Sequence, residues 1–397
     1  MVVVSNMKTL KTAVIGMGNM GSAHAFCITS GEIEGMELVA VCDINKNRTG
    51  KFVSLYPHIK SYSDYKELID SKTVDCVVIA TPHPSHAQIA IYALENGINV
   101  MLEKPADISV TKVKRLNEVA EKSGKVYSIM FNQRTNPLFQ KAREIVKNGL
   151  LGELKRTVWI ITNWYRTQHY YDSGDWRATW SGEGGGVLLN QAPHNLDIWQ
   201  WICGMPESVT AFCDVGKYHN IEVEDDVTIF VRYKNGASGI FITSTGEYPG
   251  TNRLEITGSK GKLVLENGIL KWWRLKQDER TICANSVESF TNIDCEYTEF
   301  NPGKPGTAHK GILQNFANSI LYGEELISEG SDGIFELTLS NAAYLSSWKN
   351  NVEIKLPFNS DEFDKYLREL TKSTKEKIKQ ATSKSSFDYK ERWNVRW

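Results

Sequence analysis

The sequence predicts an α/β protein in two parts: an N-terminal doubly wound parallel sheet, then an α+β domain with a mostly antiparallel sheet. Three observations carry this. From Lys11 to about Gln133, short apolar runs alternate with amphipathic stretches, the rhythm of strand–helix–strand units. After about Gly149 the runs show partial polar–apolar alternation and are separated by turn residues, as antiparallel strands with one wet face are. The chain has 397 residues, more than one ordinary core, since domains run to roughly 100–200 residues.

In the first part the apolar runs are TAVIG, ELVAVCD, DCVVIATP, INVMLEKP and KVYSIMFNQ. Being short, rich in Val and Ile and apolar on both faces, they suit buried parallel strands. Between them lie helical stretches such as HAQIAIYALENG, which stops at Gly97, where a residue without Cβ can end a helix. In the second part GELKRTVWIITNW, ESVTAFCDV, VTIFVRYKN, ASGIFITST, RLEITG and KLVLENG read as strands. Lys234-Asn235-Gly236 and Gly258-Ser259-Lys260-Gly261 mark turns between them. A single helix over about 186–203 interrupts this sheet, and helical pattern returns over 309–322 and 332–349. The expected divisions are residues 8–133, 134–358 and a lysine-rich helical tail, 359–397. That tail is either a solvated helix with a loose end or an arm that packs on a partner subunit through Trp393 and Trp397.

The bulk numbers exclude several classes. Hydrophobic residues make up 41% and charged residues 23%, as in globular proteins. A net charge of −1 leaves no basic excess for nucleic acid or an anionic membrane. Seven scattered cysteines without a C-x-x-C pair argue against disulfides or a zinc site. The run Val2–Val4 is too short for a signal-peptide core, and no stretch approaches the ~18 apolar residues of a membrane span. Met7 is a possible start, and the leader before Lys11 is expected to fray. A cytoplasmic location follows as an expectation.

Gly16-Met17-Gly18-Asn19-Met20-Gly21 follows an apolar strand and opens a helix. Gly16 permits the tight turn, Gly18 the approach of a pyrophosphate, and Gly21 close helix–strand packing. The helix N-terminus supplies N–H groups and a positive dipole for phosphate. Asp43 ends the next strand, where a carboxylate accepts hydrogen bonds from the adenine ribose hydroxyls and repels a 2′-phosphate. NAD is therefore expected over NADP, although Arg48 lies just beyond.

Two further motifs are Glu103-Lys104-Pro105 and the run Gly184-Gly185-Gly186-Val187-Leu188-Leu189-Asn190-Gln191-Ala192-Pro193-His194-Asn195-Leu196-Asp197. With the glycine fingerprint and the Thr81-Pro82 turn, they resemble the Gfo/Idh/MocA oxidoreductases, named for glucose–fructose oxidoreductase and inositol dehydrogenase. The likeness runs to about Pro357. It implies a Rossmann domain followed by an open, mostly antiparallel sheet, and NAD(P)-dependent chemistry on sugars, cyclitols and related polyols in dimers or tetramers. It implies that Lys104 sits near nicotinamide and substrate and that His194 is the active-site histidine. Asn190 stands where many members have aspartate; an amide orients a hydroxyl but takes no proton. Expected cofactor contacts come from Gly16, Gly18, Asn19, Met20, Gly21, Asp43, Thr81, Pro82, His86, Glu103 and Lys104.

Oxidising a carbinol removes a hydride and a proton. His194 is the base whose ordinary pKa lies nearest neutrality. On one helix Asn190, His194 and Asp197 share a face; Asp197 either orients the imidazole or is a buried structural acid. Lys104 suits the developing alkoxide; beside a cationic nicotinamide and away from water its pKa should fall, so that it could shuttle the proton, and Glu103 would counter that fall if the two paired. The segment from Trp164 to Trp180 is crowded with aromatics and arginines, which suit the C–H face and the hydroxyls of a sugar. Tyr165, Arg166, Trp176 and Arg177 are its expected substrate contacts, with Asn190 and His194.

Other features read as structural. His83 and His86 are expected to cap the helix that follows rather than bind metal, and no third ligand accompanies His169 and His194. Asp225-Asp226 reads as a cap or turn, and His309, at a helix start, reads as structural, with a contact to the site as the alternative. The function expected is NAD-dependent oxidation of a sugar, glycoside (at C3 of a glucoside, for one) or cyclitol. The alternatives are a glycosidase- or lyase-like enzyme that uses tightly held NAD as a transient oxidant, and a non-catalytic NAD-sensing regulator.

Overall fold

The structure, a computed structural model, describes residues 9–374. The chain forms two compact units. The first comprises residues 9–135 together with Thr307–Ile334; the second comprises Asn136–Gly306 and residues 335–374. Residues 307–334 thus leave the second unit and return to the first.

The first unit is built on β1 (Leu10–Ile15), β2 (Met36–Cys42), β3 (Lys60–Tyr62), β4 (Cys76–Ile79), β5 (Asn99–Leu102) and β6 (Tyr127–Ile129). All pair in parallel, in the order β3-β2-β1-β4-β5-β6. The edge strand β3, Lys-Ser-Tyr, carries no buried residue and leaves no apolar run to read. The order reverses between β1 and β4, and at such a switch point the loops leaving the carboxyl ends diverge and open a crevice. The returning helix Ala308–Tyr322 inserts Ile312, Leu313, Phe316 and Ala317 into the core formed by Leu10, Val14, Met36 and Val78. Each of the three larger side chains contributes roughly 1.5–3 kcal/mol by leaving water. Backbone ties follow: the Ile129 N–H (3.3 Å) and the Ser128 hydroxyl (2.7 Å) both donate to the Ser328 carbonyl. The Arg134 guanidinium, almost fully buried, donates to Asp332 at 2.5 Å.

The second unit holds a nine-stranded sheet. Its strands are β7 (Leu154–Ile161), β8 (Ser208–Val215), β9 (Glu224–Arg232), β10 (Ser238–Ser244), β11 (Asn252–Gly258), β12 (Gly261–Glu266), β13 (Ile269–Leu275), β14 (Cys295–Phe300) and β15 (Ile354–Lys355). The order is β14-β13-β12-β11-β7-β10-β9-β8-β15, with every pair antiparallel except β7–β10. One face packs on the helix Pro193–Cys203, where Trp199 stacks on Phe241 of β10 at 5.5 Å and donates its indole N–H to Thr157 of β7.

The single helix expected over 186–203 is two, Val187–Asn190 and Pro193–Cys203. Pro193 has no N–H to continue the ladder, so the chain turns at Gln191-Ala192. In the tail, Ser360–Ser373 is helical and buries Phe363 and Leu367, with Trp348 stacked on Phe363 at 5.4 Å. Trp393, Trp397 and the leader before Thr9 lie outside the described residues. No described helix is long and apolar enough to cross a membrane.

Candidate active site

In the first unit the glycine loop joins β1 to the helix Asn19–Thr29. Gly16 has φ +94°, and a Cβ there would lie 2.5 Å from the Ala80 carbonyl oxygen. A Cβ on Gly21 would lie 1.7 Å from the Gly16 oxygen, whereas one on Gly18 would meet nothing within 4 Å. The loop is therefore packed tight at both ends and open in the middle, beside a helix start with positive dipole. Asn19 is exposed and Met20 half-buried. Asp43, buried, accepts the Met17 N–H through Oδ2 and the Asn45 N–H through Oδ1, each at 2.8 Å, with the exposed Arg48 guanidinium 3.4 Å away. The carboxylate thus ties the end of β2 to the glycine loop. This cradle fits a dinucleotide pyrophosphate.

The turns after β4 and β5 belong to the same unit. Both ring nitrogens of His86 lie 2.7 Å from carbonyl oxygens, Nε2 from Thr81 and Nδ1 from Pro105. The expected cap is not what His86 makes: its ring clamps the Thr81-Pro82 turn to the Lys104-Pro105 turn. Burial lowers its pKa, with the two carbonyls pulling upward. Glu103, also buried, meets His24. His24 Nε2 donates to Glu103 Oε1 at 2.7 Å, and the Lys104 backbone N–H donates to Oε2 at 3.3 Å. Burial pushes the Glu103 carboxyl up, but the His24 hydrogen bond and the charges of His24, His309 and Lys104 outweigh it, holding it at about 2. His309 is buried beside this pair, its ring 6.0 Å from that of His24, and burial takes its pKa down to about 4. Lys104 itself is half-buried.

In the second unit the segment after β7 packs on its own arginines. Tyr170 lies between two guanidiniums, Arg166 at 5.1 Å and Arg177 at 4.5 Å from its ring centre. Arg177 also stands over Trp176 at 4.6 Å and donates to the Tyr170 hydroxyl at 2.8 Å. The Gln191 amide reaches the same hydroxyl at 3.3 Å. Tyr165 is exposed and touches Tyr248 edge-on at 5.7 Å. Asp225 is fully buried and accepts the N–H groups of Lys217, Tyr218 and His219 as well as the His219 ring, which in turn donates to the Arg166 carbonyl at 2.9 Å. Asp225 is thus more than a cap: it anchors the loop that carries Arg166.

The glycine-rich turn is held by close approach. A Cβ on Gly186 would lie 1.9 Å from the Glu224 carbonyl oxygen. The Glu224 carboxylate accepts the Gly186 and Leu188 N–H groups and the Tyr344 hydroxyl. Burial pushes this carboxyl up to about 7, against the pull of those donors. Asn190 closes the first short helix and His194 lies in the first turn of the second, both half-buried. Asp197 is fully buried and accepts from Gln200 at 3.0 Å.

Residues 10–131 match the oxidoreductase family with an NAD-binding Rossmann fold, and 139–264 match the GFO/IDH/MocA C-terminal domain. The chain belongs to the GFO/IDH/MocA oxidoreductases. It is 26% identical to myo-inositol 2-dehydrogenase of Thermotoga maritima, over 84% of this chain and 95% of that one. It is 24% identical to levoglucosan dehydrogenase of Pseudarthrobacter phenanthrenivorans, over 88% and 94%. Among solved structures it is similar to the WlbA dehydrogenase of Bordetella pertussis in complex with NADH and UDP-GlcNAcA. There the TM-score is 0.73 and the identity 25%, over 88% of this chain and all of that one.

This GFO/IDH/MocA oxidoreductase binds NAD through its first unit. The structure groups Gly16, Gly18, Gly21, Asp43, Thr81, Glu103 and Lys104 around the loops of one sheet edge, and Arg166, Trp176, Arg177, Asn190 and His194 on the loop and helices of the second unit. Sequence reasoning passed over His24, Tyr170 and Glu183. Tyr170 stood within the aromatic segment; the periodicity gave no sign that it, rather than Tyr165, lies between the arginines.

Proposed function

We propose that this oxidoreductase moves a hydride between a secondary alcohol of a cyclitol, sugar or glycoside and NAD, and releases the reduced cofactor. The observation that carries this reading is the Arg166–Tyr170–Arg177 stack, on the loop that leads into Asn190 and His194. Guanidinium forks bind hydroxyl oxygens and aromatic faces take ring C–H groups, so a polyhydroxylated ring satisfies both. The relatives named for inositol and levoglucosan act on such rings, and the match covers nearly their whole length.

When bound, NAD supplies the hydride acceptor. Lys104 holds the alcohol oxygen and steadies the alkoxide as it develops. His194 takes the hydroxyl proton, and Asn190 orients the hydroxyl through its amide. Asp43 favours NAD over NADP because a second anion beside its carboxylate is repelled. A homodimer or homotetramer is the assembly we expect.

The test is a screen of free inositols, free sugars and glucosides with NAD+ and with NADP+, following reduced-nicotinamide absorbance. Stoichiometric NADH with at least one ring polyol is expected. No reduced cofactor with any of them, together with NAD that survives dialysis, would replace this reading by the transient-oxidant one.

A further inference from the structure

We propose that Glu183 is a positioning residue for the reaction: it supplies the negative charge behind Asn190 and fixes which way the Asn190 amide faces. Glu183 is only 1% exposed. One of its oxygens, Oε2, accepts the Ala178 N–H at 2.6 Å; the other, Oε1, accepts from the Asn190 side-chain nitrogen. Its own N–H donates to Thr179 at 3.0 Å, so the segment 178–183 closes on itself. Ala178 has φ +50°, a left-handed conformation rare for alanine, and the Glu183 carboxylate is what meets its N–H.

A carboxylate only accepts, so the nitrogen of the Asn190 amide faces Glu183 and its carbonyl oxygen faces the other way. The side chain at 190 thereby meets its surroundings on that side as a hydrogen-bond acceptor, the polarity an aspartate would have there. Glu183 also ties Ala178, which follows Arg177 in the chain, to the Asn190 helix, joining two parts of the polyol site proposed above. The inference rests on that reading of Asn190 as a residue facing the substrate.

The polarity argument yields a swap. In Glu183→Gln, one end of the side chain must face two donors with an amide, so one contact becomes N–H against N–H. In Asn190→Asp, two carboxylates meet in a buried site, and one must take up a proton. In the double variant, the oxygen of the new amide at position 183 accepts the Ala178 N–H while its nitrogen donates to the new carboxylate at position 190. Every contact is then restored, with the polarity between the two side chains reversed. Three variants, E183Q, N190D and E183Q/N190D, are compared with the parent by thermal unfolding midpoint and by kcat and KM with the best polyol from the screen.

Each single variant is expected to lower the midpoint and to lower kcat about ten-fold or more, with KM for NAD+ within about two-fold of the parent. The double variant is expected to regain most of both, which a merely structural loss would not do for kcat. Two results would overturn the proposal: E183Q with parental kcat, or a double variant no better than the worse single. If the parent oxidises no polyol, the functional reading falls and the midpoints alone decide, since recovery in the swap supports the pair and its absence overturns it.

Discussion

His309 binds its proton far more weakly than an exposed histidine does. Burial disfavours the imidazolium and His24 and Lys104 add to that, while Glu103 opposes them; the result is about 4. In an unfolded chain the value is about 6.5. Between these limits the unfolded chain holds a proton that the folded one does not, so stability rises with pH across the window and falls as acid is added. The loss is on the order of 3 kcal/mol. Glu103 acts in a different window: its carboxyl sits at about 2 when folded, so its contribution is present in full above about 4.3 and is lost progressively as pH falls from there through about 2. Denaturant midpoints of the parent and of His309→Gln, measured from pH ~7 to ~3, should show the upper slope flattened in the variant and the acid limb kept. An unchanged upper slope would assign that proton to another group. Such residues explain where sequence reading stops. Lys104 and His194 were visible because they stand inside motifs. His24 and Glu103 are 79 positions apart, and Glu183 meets Asn190 across a glycine turn; nothing local marks either partner as buried.

At the scale of the elements, the glycine-rich turn is the most constrained. An alanine at 186 would push its Cβ into the Glu224 carbonyl and disturb the carboxylate that holds the Gly186 and Leu188 N–H groups. Gly186→Ala is expected to cost roughly 3 kcal/mol, read from urea unfolding, and to lower activity with it because Asn190 ends the helix that begins there. A variant as stable as the parent would mean that β9 yields locally. Strands with two apolar faces or clear alternation were legible, since burial itself writes those patterns. The exposed β14 and the three-residue β3 contain no buried residue, so they leave little trace in hydrophobicity. The 186–203 stretch misled for the opposite reason: its apolar periodicity runs on through Pro193, where the hydrogen-bond ladder does not.

At the scale of the whole molecule, the doubly wound sheet and the mostly antiparallel second sheet followed from composition and rhythm, but the parallel β7–β10 pair within it and the return of Thr307–Ile334 to the first unit did not. A helix over 309–322 was evident; which core it would fill depends on shape. A fragment of residues 9–135 lacks the burial of Ile312, Leu313 and Phe316, the carbonyl of Ser328 and the carboxylate opposite Arg134. It should show no cooperative thermal transition, whereas the same fragment joined through a flexible linker to 307–334 should regain one. Cooperative melting of the shorter piece would show the returning segment to be dispensable.

That return also bears on inheritance. Because the polypeptide passes from one unit to the other near residues 135, 306 and 334, neither half corresponds to one uninterrupted stretch of coding sequence. A chimera made by a single crossover between relatives would combine a nucleotide-binding sheet from one parent with a closing helix from the other. New pairings of the two units should therefore arise less by shuffling whole pieces than by point changes in their loops.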